Sequence, residues 1–142
     1  MPPLRTEEDM AVRLAINGFG RIGRLVLRAM LESRRNDVEV VGINDLGSPE
    51  MNGHLLKYDS VHGNLITDIS VDGDIMNVGT NPIKVTTERD PGQLPWGELN
   101  VDVALECTGL FTKRDAAANH LKAGAKKVLI SAPGTDVDKT IV

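Results

Sequence analysis

The sequence predicts an α/β domain with a mainly parallel sheet. Three observations carry that reading. Near the start, a short apolar run and a β-branched one flank a segment with helical periodicity, which is the strand, helix, strand order of a parallel unit. A glycine-rich turn joins the first strand to the first helix, and the same alternation returns after residue 100. The 142 residues, 41% hydrophobic and 25% charged, suit one soluble domain. At that size roughly 68–70% of the unfolded surface can be buried, so no disulfide or metal staple is needed.

Residues 1–9, MPPLRTEED, hold two prolines and three acids without apolar periodicity and read as a disordered leader or an expression remnant. The domain is expected to span residues 10–142. Leu14, Ala15 and Ile16 form a buried strand ended by Asn17-Gly18. Ile22, Leu25, Val26, Ala29 and Met30 then recur at helical spacing, widened by Leu27 and Leu31, with a stop expected between Ser33 and Asn36. Val38, Val40, Val41 and Ile43 make a second strand that ends at Asn44-Asp45. Residues 65–87 read as an antiparallel excursion of three strands: residues 68–71 and 75–78 around an Asp72-Gly73 hairpin step, then residues 83–87. The alternation resumes with a strand over 101–106, one helix over 114–123 closed by Gly124, and a strand over 128–130. No internal repeat or low-complexity tract is present. A chain that stops soon after a strand, with no helix to cover it, reads as part of something longer.

The net charge of −4 lacks the basic excess that a nucleic-acid backbone requires, so nucleic acid is not an expected partner. Cys107 is the only cysteine, and no apolar run approaches the ~18 residues of a membrane span. The expectation is a cytoplasmic protein with no membrane partner. His54, His62 and His120 are dispersed and form no metal-ligand spacing, so no metal is expected.

Gly18-Phe19-Gly20-Arg21-Ile22-Gly23 is a G-x-G-x-x-G placed between a strand and a helix. The first glycine allows the turn, the second lets backbone approach a pyrophosphate, and the third packs helix on strand. The helix start then offers unpaired N–H groups and about half a positive charge to that pyrophosphate. Asp45 lies 22 residues after Gly23, at the end of the second strand, where a carboxylate accepts hydrogen bonds from the adenosine ribose. Together these predict a Rossmann-type doubly wound domain. NAD should be preferred to NADP, because the carboxylate repels a 2′-phosphate and Leu46, not an arginine, follows it.

With these residues in place, the chain resembles the amino-terminal domain of phosphorylating glyceraldehyde-3-phosphate dehydrogenases. The resemblance rests on NGFGRIGR (17–24), INDL (43–46), HLLKYDSVHG (54–63), TERDP (87–91), LPWG (94–97), ECTGLFT (106–112) and AGAKKVLISAP (123–133). It implies that Arg21 and Ile22 meet the pyrophosphate through their backbone and that Asp45 holds the ribose. It also implies that Arg89 sits by the adenine, Thr108 and Gly109 beneath the cofactor, and Ser131 towards the nicotinamide. The expected cofactor-binding set is therefore Gly18, Phe19, Gly20, Arg21, Ile22, Gly23, Asn44, Asp45, Arg89, Thr108, Gly109 and Ser131. The family moves a hydride from a cysteine-bound substrate to NAD and is usually a homotetramer. Its nucleophile motif, Ser-Cys-Thr-Thr-Asn-Cys, and its base histidine do not occur in these 142 residues. No catalytic residue is therefore expected here, and the small phosphorylated aldehyde would be a partner only of the full-length protein. Alternatives are an erythrose-4-phosphate dehydrogenase and a stand-alone nucleotide-binding module.

Plainer roles are expected for several residues. Cys107 ends an apolar strand and reads as core packing. Trp96 reads as a packing anchor. Arg21, Arg24 and Arg28 form a basic stripe in which Arg28 is solvated, and Asp37, Asp102 and Asp115 read as surface charge.

Overall fold

The computed structural model describes residues 11–33, 36–58, 68–131, 134 and 137. The expectations for residues 1–9, for His62, for residues 65–67 and for Pro133 fall outside them. The elements run β1 (Val12–Asn17), α1 (Arg21–Ser33), β2 (Val38–Asn44), α2 (Pro49–Lys57), β3 (Ile69–Asp72), β4 (Ile75–Val78), β5 (Asn81–Thr86), β6 (Val103–Glu106), α3 (Arg114–Ala117), α4 (Asn119–Lys122) and β7 (Lys127–Ile130). Among the described residues the strands form one seven-stranded sheet in the order β3-β4-β5-β2-β1-β6-β7. β5, β2, β1, β6 and β7 are mutually parallel, and β3 and β4 extend the β5 edge antiparallel. The fold is the expected Rossmann type: the chain leaves β1 towards β2 on one side and returns to β6 on the other, a switch point at the sheet centre.

Each sheet face has its own core. On one, Leu14, Ile16, Val40, Ile43, Val85 and Leu105 pack with Leu27 of α1 and Leu56 of α2. On the other, Ala15, Val41 and Ala104 pack with Leu94, Trp96, Val101 and Ala125. Ala15 is in register with Gly42 and Ala104, so this face is lined by small side chains and admits a large one. A Cβ on Gly42 would lie 2.8 Å from Trp96 Cζ3, so the indole rests against backbone. Trp96 is fully buried, the anchor its sequence context predicts. Its Nε1–H donates to His120 Nδ1 at 2.9 Å. Indole N–H only donates, so His120 carries its proton on Nε2 and donates from there to Glu106 Oε1 at 2.8 Å. Trp96→Phe removes that donor and leaves a buried acceptor unmet. We expect a loss of about 1–2 kcal/mol in urea unfolding; an unchanged midpoint would show that the bond adds nothing.

Several expectations need correction. On α1 the expected Val26, Leu27, Met30 and Leu31 pack on the core with Gly23 and Arg28 buried beside them, while Ile22 and Ala29 face solvent. The helix is turned so that Gly23 meets Gly18, where a Cβ would lie 2.4 Å from the Gly18 carbonyl oxygen. That rotation carries Arg28 inward, 3% exposed, to donate from Nη1 to Leu56 O at 2.7 Å, so Arg28 is not a solvated residue. Asp102 is more than surface charge: its carboxylate accepts the Arg13 N–H at 2.9 Å and pairs with Lys126 at 3.1 Å, tying β1 to the approach to β6.

The single helix over 114–123 is two short pieces divided at Ala118, immediately before the segment that His120 anchors to Glu106 and Trp96; Gly124 closes it at φ +118°. The hairpin turn is Gly73-Asp74, with Asp72 paired to Ile75 as a strand residue. Gly73 at φ +62° followed by a residue without positive φ is the type II′ arrangement. The third excursion strand, β5, is antiparallel only to β4; towards β2 it is parallel and belongs to the main sheet. Helix α2 was not foreseen, although Ser48-Pro49-Glu50 carries its start: Ser48 Oγ accepts the Met51 N–H at 3.1 Å, Pro49 occupies the first turn and Glu50 suits the helix dipole.

Candidate functional site

The expected site residues lie at or just beyond the carboxyl ends of the parallel strands, gathered at one edge of the sheet. Gly18 follows β1 with φ +92°, and a Cβ there would lie 2.8 Å from Thr108 Cγ2. The first glycine thus lets the β1 loop close against the β6 loop. Gly23 supports the helix crossing described above. Gly20 differs from both, since a Cβ on it would meet nothing within 4 Å. Open space over Gly20, at the start of a 13-residue helix whose first turn holds no acidic residue, fits an anionic diphosphate. Arg21 and Ile22 stand exposed there, and Arg24 donates to the Phe19 carbonyl at 3.0 Å, steadying the loop.

Asp45 is half-buried after β2. Its Oδ1 accepts the Phe19 N–H and its Oδ2 the Gly47 N–H, both at 2.9 Å. The carboxylate therefore faces the glycine loop and is held by two bonds, with lone pairs left for a further donor. Asn44 is 4% exposed and engaged with protein partners. Its Oδ1 accepts from Thr86 Oγ1 at 2.7 Å and from the Glu88 N–H at 2.8 Å, while Nδ2 donates to the Glu88 carbonyl at 2.8 Å. The loop that carries exposed Arg89 is thus clamped at the residue before it.

At the end of β6, Glu106 is 1% exposed. Its Oε2 accepts both the N–H and the hydroxyl of Thr108, and the Thr108 oxygen accepts the Leu110 N–H at 3.1 Å. Exposed Gly109, at φ +76°, lies inside this turn. Burial opposes ionisation of Glu106, yet hydrogen bonds from His120, Thr108 and Asn17 outweigh it and hold the carboxyl below the usual range. A lowered folded-state value means the stabilisation is present above the unfolded value near 4.5 and is lost as pH falls through the folded one. Glu106→Gln should therefore cost about 2 kcal/mol at neutral pH and flatten the fall in Tm on acidification. Parallel Tm–pH curves for both proteins would contradict this.

Cys107 is half-buried against the core. Burial pushes its thiol up, Ser131's hydrogen bond lowers it in part, and the Glu106 charge raises it. This supports packing over nucleophilic duty, and it sets Ser131, exposed after β7, beside the β6 loop. Sequence reasoning missed Glu106, Asn17, Thr86 and His120 as site-supporting residues. A signal existed: polar residues close strands that are otherwise apolar. Among the described residues no helix is long and apolar enough to cross a membrane.

A central switch point, a glycine turn with open space before a helix, and an acid at the end of the second strand together define a dinucleotide-binding domain. Comparison with known proteins makes the class specific. A family model described as "Glyceraldehyde 3-phosphate dehydrogenase, NAD binding domain" matches residues 12–114, and the chain belongs to that family, whose cofactor is NAD. It is 61% identical over 133 residues to a glyceraldehyde-3-phosphate dehydrogenase of Xanthobacter flavus, 58% identical over 135 to the plasmid enzyme of Cupriavidus necator, and 56% identical over 133 to enzyme 1 of Bacillus subtilis. Each match covers 94% of this chain. The chain spans about 40% of the length of these relatives.

Proposed function

We propose that this domain holds NAD along the carboxyl edge of its sheet. In this reading residues 18–23 take the pyrophosphate, with Arg21 and Ile22 acting through their backbone, and Asp45 takes the adenosine ribose. Asn44 supports the adenine side, where Arg89 lies. Thr108 and Gly109 floor the other half, and Ser131 stands towards the nicotinamide. The observation that carries it is the difference among three glycines: Gly18 and Gly23 are crowded by protein, whereas Gly20 faces empty space. When bound, NAD supplies a hydride acceptor.

The chain's own groups bind and orient. In the complete protein the reaction would be oxidation and phosphorylation of glyceraldehyde 3-phosphate, and the resemblance points to a homotetramer. Cys107, the only thiol of the 142 residues, is packed and pushed up, so these residues alone should bind NAD without turning over substrate. A lone cysteine supports a cytoplasmic location. Domain limits of 10–142 are supported by described strands that run from Val12 to Ile130.

Titration of Asp45 variants tests the assignment. Asp45→Ala should weaken NAD about tenfold, by loss of charge-assisted hydrogen bonds, and narrow the NAD/NADP ratio. Asp45→Asn, which keeps an acceptor for the Phe19 N–H, should narrow the ratio as well. An unchanged ratio in both would remove Asp45 from the site.

A further inference from the structure

A row of polar side chains crosses the sheet directly beneath the site. Thr86, Asn44, Asn17 and Glu106 are the last residues of β5, β2, β1 and β6 and are register partners from strand to strand. They bond side chain to side chain: Thr86 Oγ1 donates to Asn44 Oδ1 at 2.7 Å, Asn44 Nδ2 to Asn17 Oδ1 at 2.8 Å, and Asn17 Nδ2 to Glu106 Oε1 at 2.7 Å. Asn44 Oδ1 takes two donors and Glu106 only accepts, so the row has one sense and each amide one orientation. Three of its members are at least 96% buried. Buried polar groups cost free energy unless satisfied, and apolar strand ends would close the core more simply.

What the row joins is informative. At one end Asn44 grips the N–H and carbonyl of Glu88, beside Arg89. At the other, Glu106 grips the N–H and hydroxyl of Thr108. The two loops are the adenine and nicotinamide sides of the proposed site.

We propose that this row is a positioning element, with Asn17 as its central link, that sets the separation of the two loops so that one dinucleotide engages both. The proposal rests on the site reading above. A linked ligand gains from its second half only when the two subsites match its span, whereas a ligand that fills one subsite is indifferent to the separation. Asn17 is thus a positioning residue without contact to the cofactor.

The test is binding of NAD and of ADP, which lacks the nicotinamide half, by isothermal titration at a temperature where circular dichroism shows full folding. Asn17→Ala cuts the link while leaving the Asn44–Glu88 and Glu106–Thr108 grips in place. It should raise the Kd for NAD about tenfold and move that for ADP less than about twofold. Thr86→Val, close in shape and outside the proposed contact set, removes the donor that orients the Asn44 amide and should give the same split if Asn17→Ala does not fold. Equal weakening of both ligands, or no change in either, would overturn the proposal and reduce the row to structural support. A wild-type chain that bound neither ligand would instead sink the site assignment itself.

Discussion

Gly23→Ala is expected to cost the domain about 3 kcal/mol or more, a large share of the roughly 5–15 kcal/mol that holds a typical domain together. The added methyl would lie 2.4 Å from the Gly18 carbonyl oxygen and 3.1 Å from Ile16 Cγ2. The first contact is with backbone and the second with a fully buried core side chain, so neither neighbour gives way cheaply. Relief requires α1 to lift from β1, which would draw Leu27 out of the core and Arg28 away from Leu56. Urea unfolding with matched m-values gives the number. A loss under about 1 kcal/mol would mean that the helix crossing yields to the added methyl.

Gly20→Val should do the reverse. Its side chain would enter open space at a residue whose φ is not positive, so stability should stay within about 0.5 kcal/mol of wild type. That space is the proposed seat of the pyrophosphate. NAD affinity should therefore fall about 100-fold, equivalent to about 2.8 kcal/mol. The pair separates two duties within one six-residue motif. One glycine serves the fold and another serves the ligand. Unimpaired binding in a folded Gly20→Val protein would place the diphosphate elsewhere.

Much of this architecture was legible beforehand because it rests on local signals. The apolar run before Asn17-Gly18, the β-branched run before Asn44-Asp45 and the Asp72-Gly73 step, one residue short of the actual turn, each encode an element within a few residues. Three glycines and one aspartate point to the candidate site at the sheet's switch point. What escaped depends on contacts between distant residues. The apolar positions of α1 mark most of its core face, Val26, Leu27, Met30 and Leu31, but not its limits, since Gly23 must face Gly18 and that demand turns Ile22 outward. Arg28 was misread for the same reason, because its partner, the Leu56 carbonyl, belongs to another helix. The break at Ala118 comes just before His120, whose bond to a strand residue 14 positions earlier no local pattern announces. Asn17, Thr86 and Glu106 stand in sequence as polar ends of apolar strands, and only the parallel register joins them with Asn44 into a row.

The most direct measurement is a crystal structure of this chain soaked with NAD. The account predicts diphosphate density over residues 20–22 at the start of α1, with the adenosine ribose hydroxyls on Asp45. Density at another edge of the sheet, or an ordered apo loop that closes the space above Gly20, would contradict it.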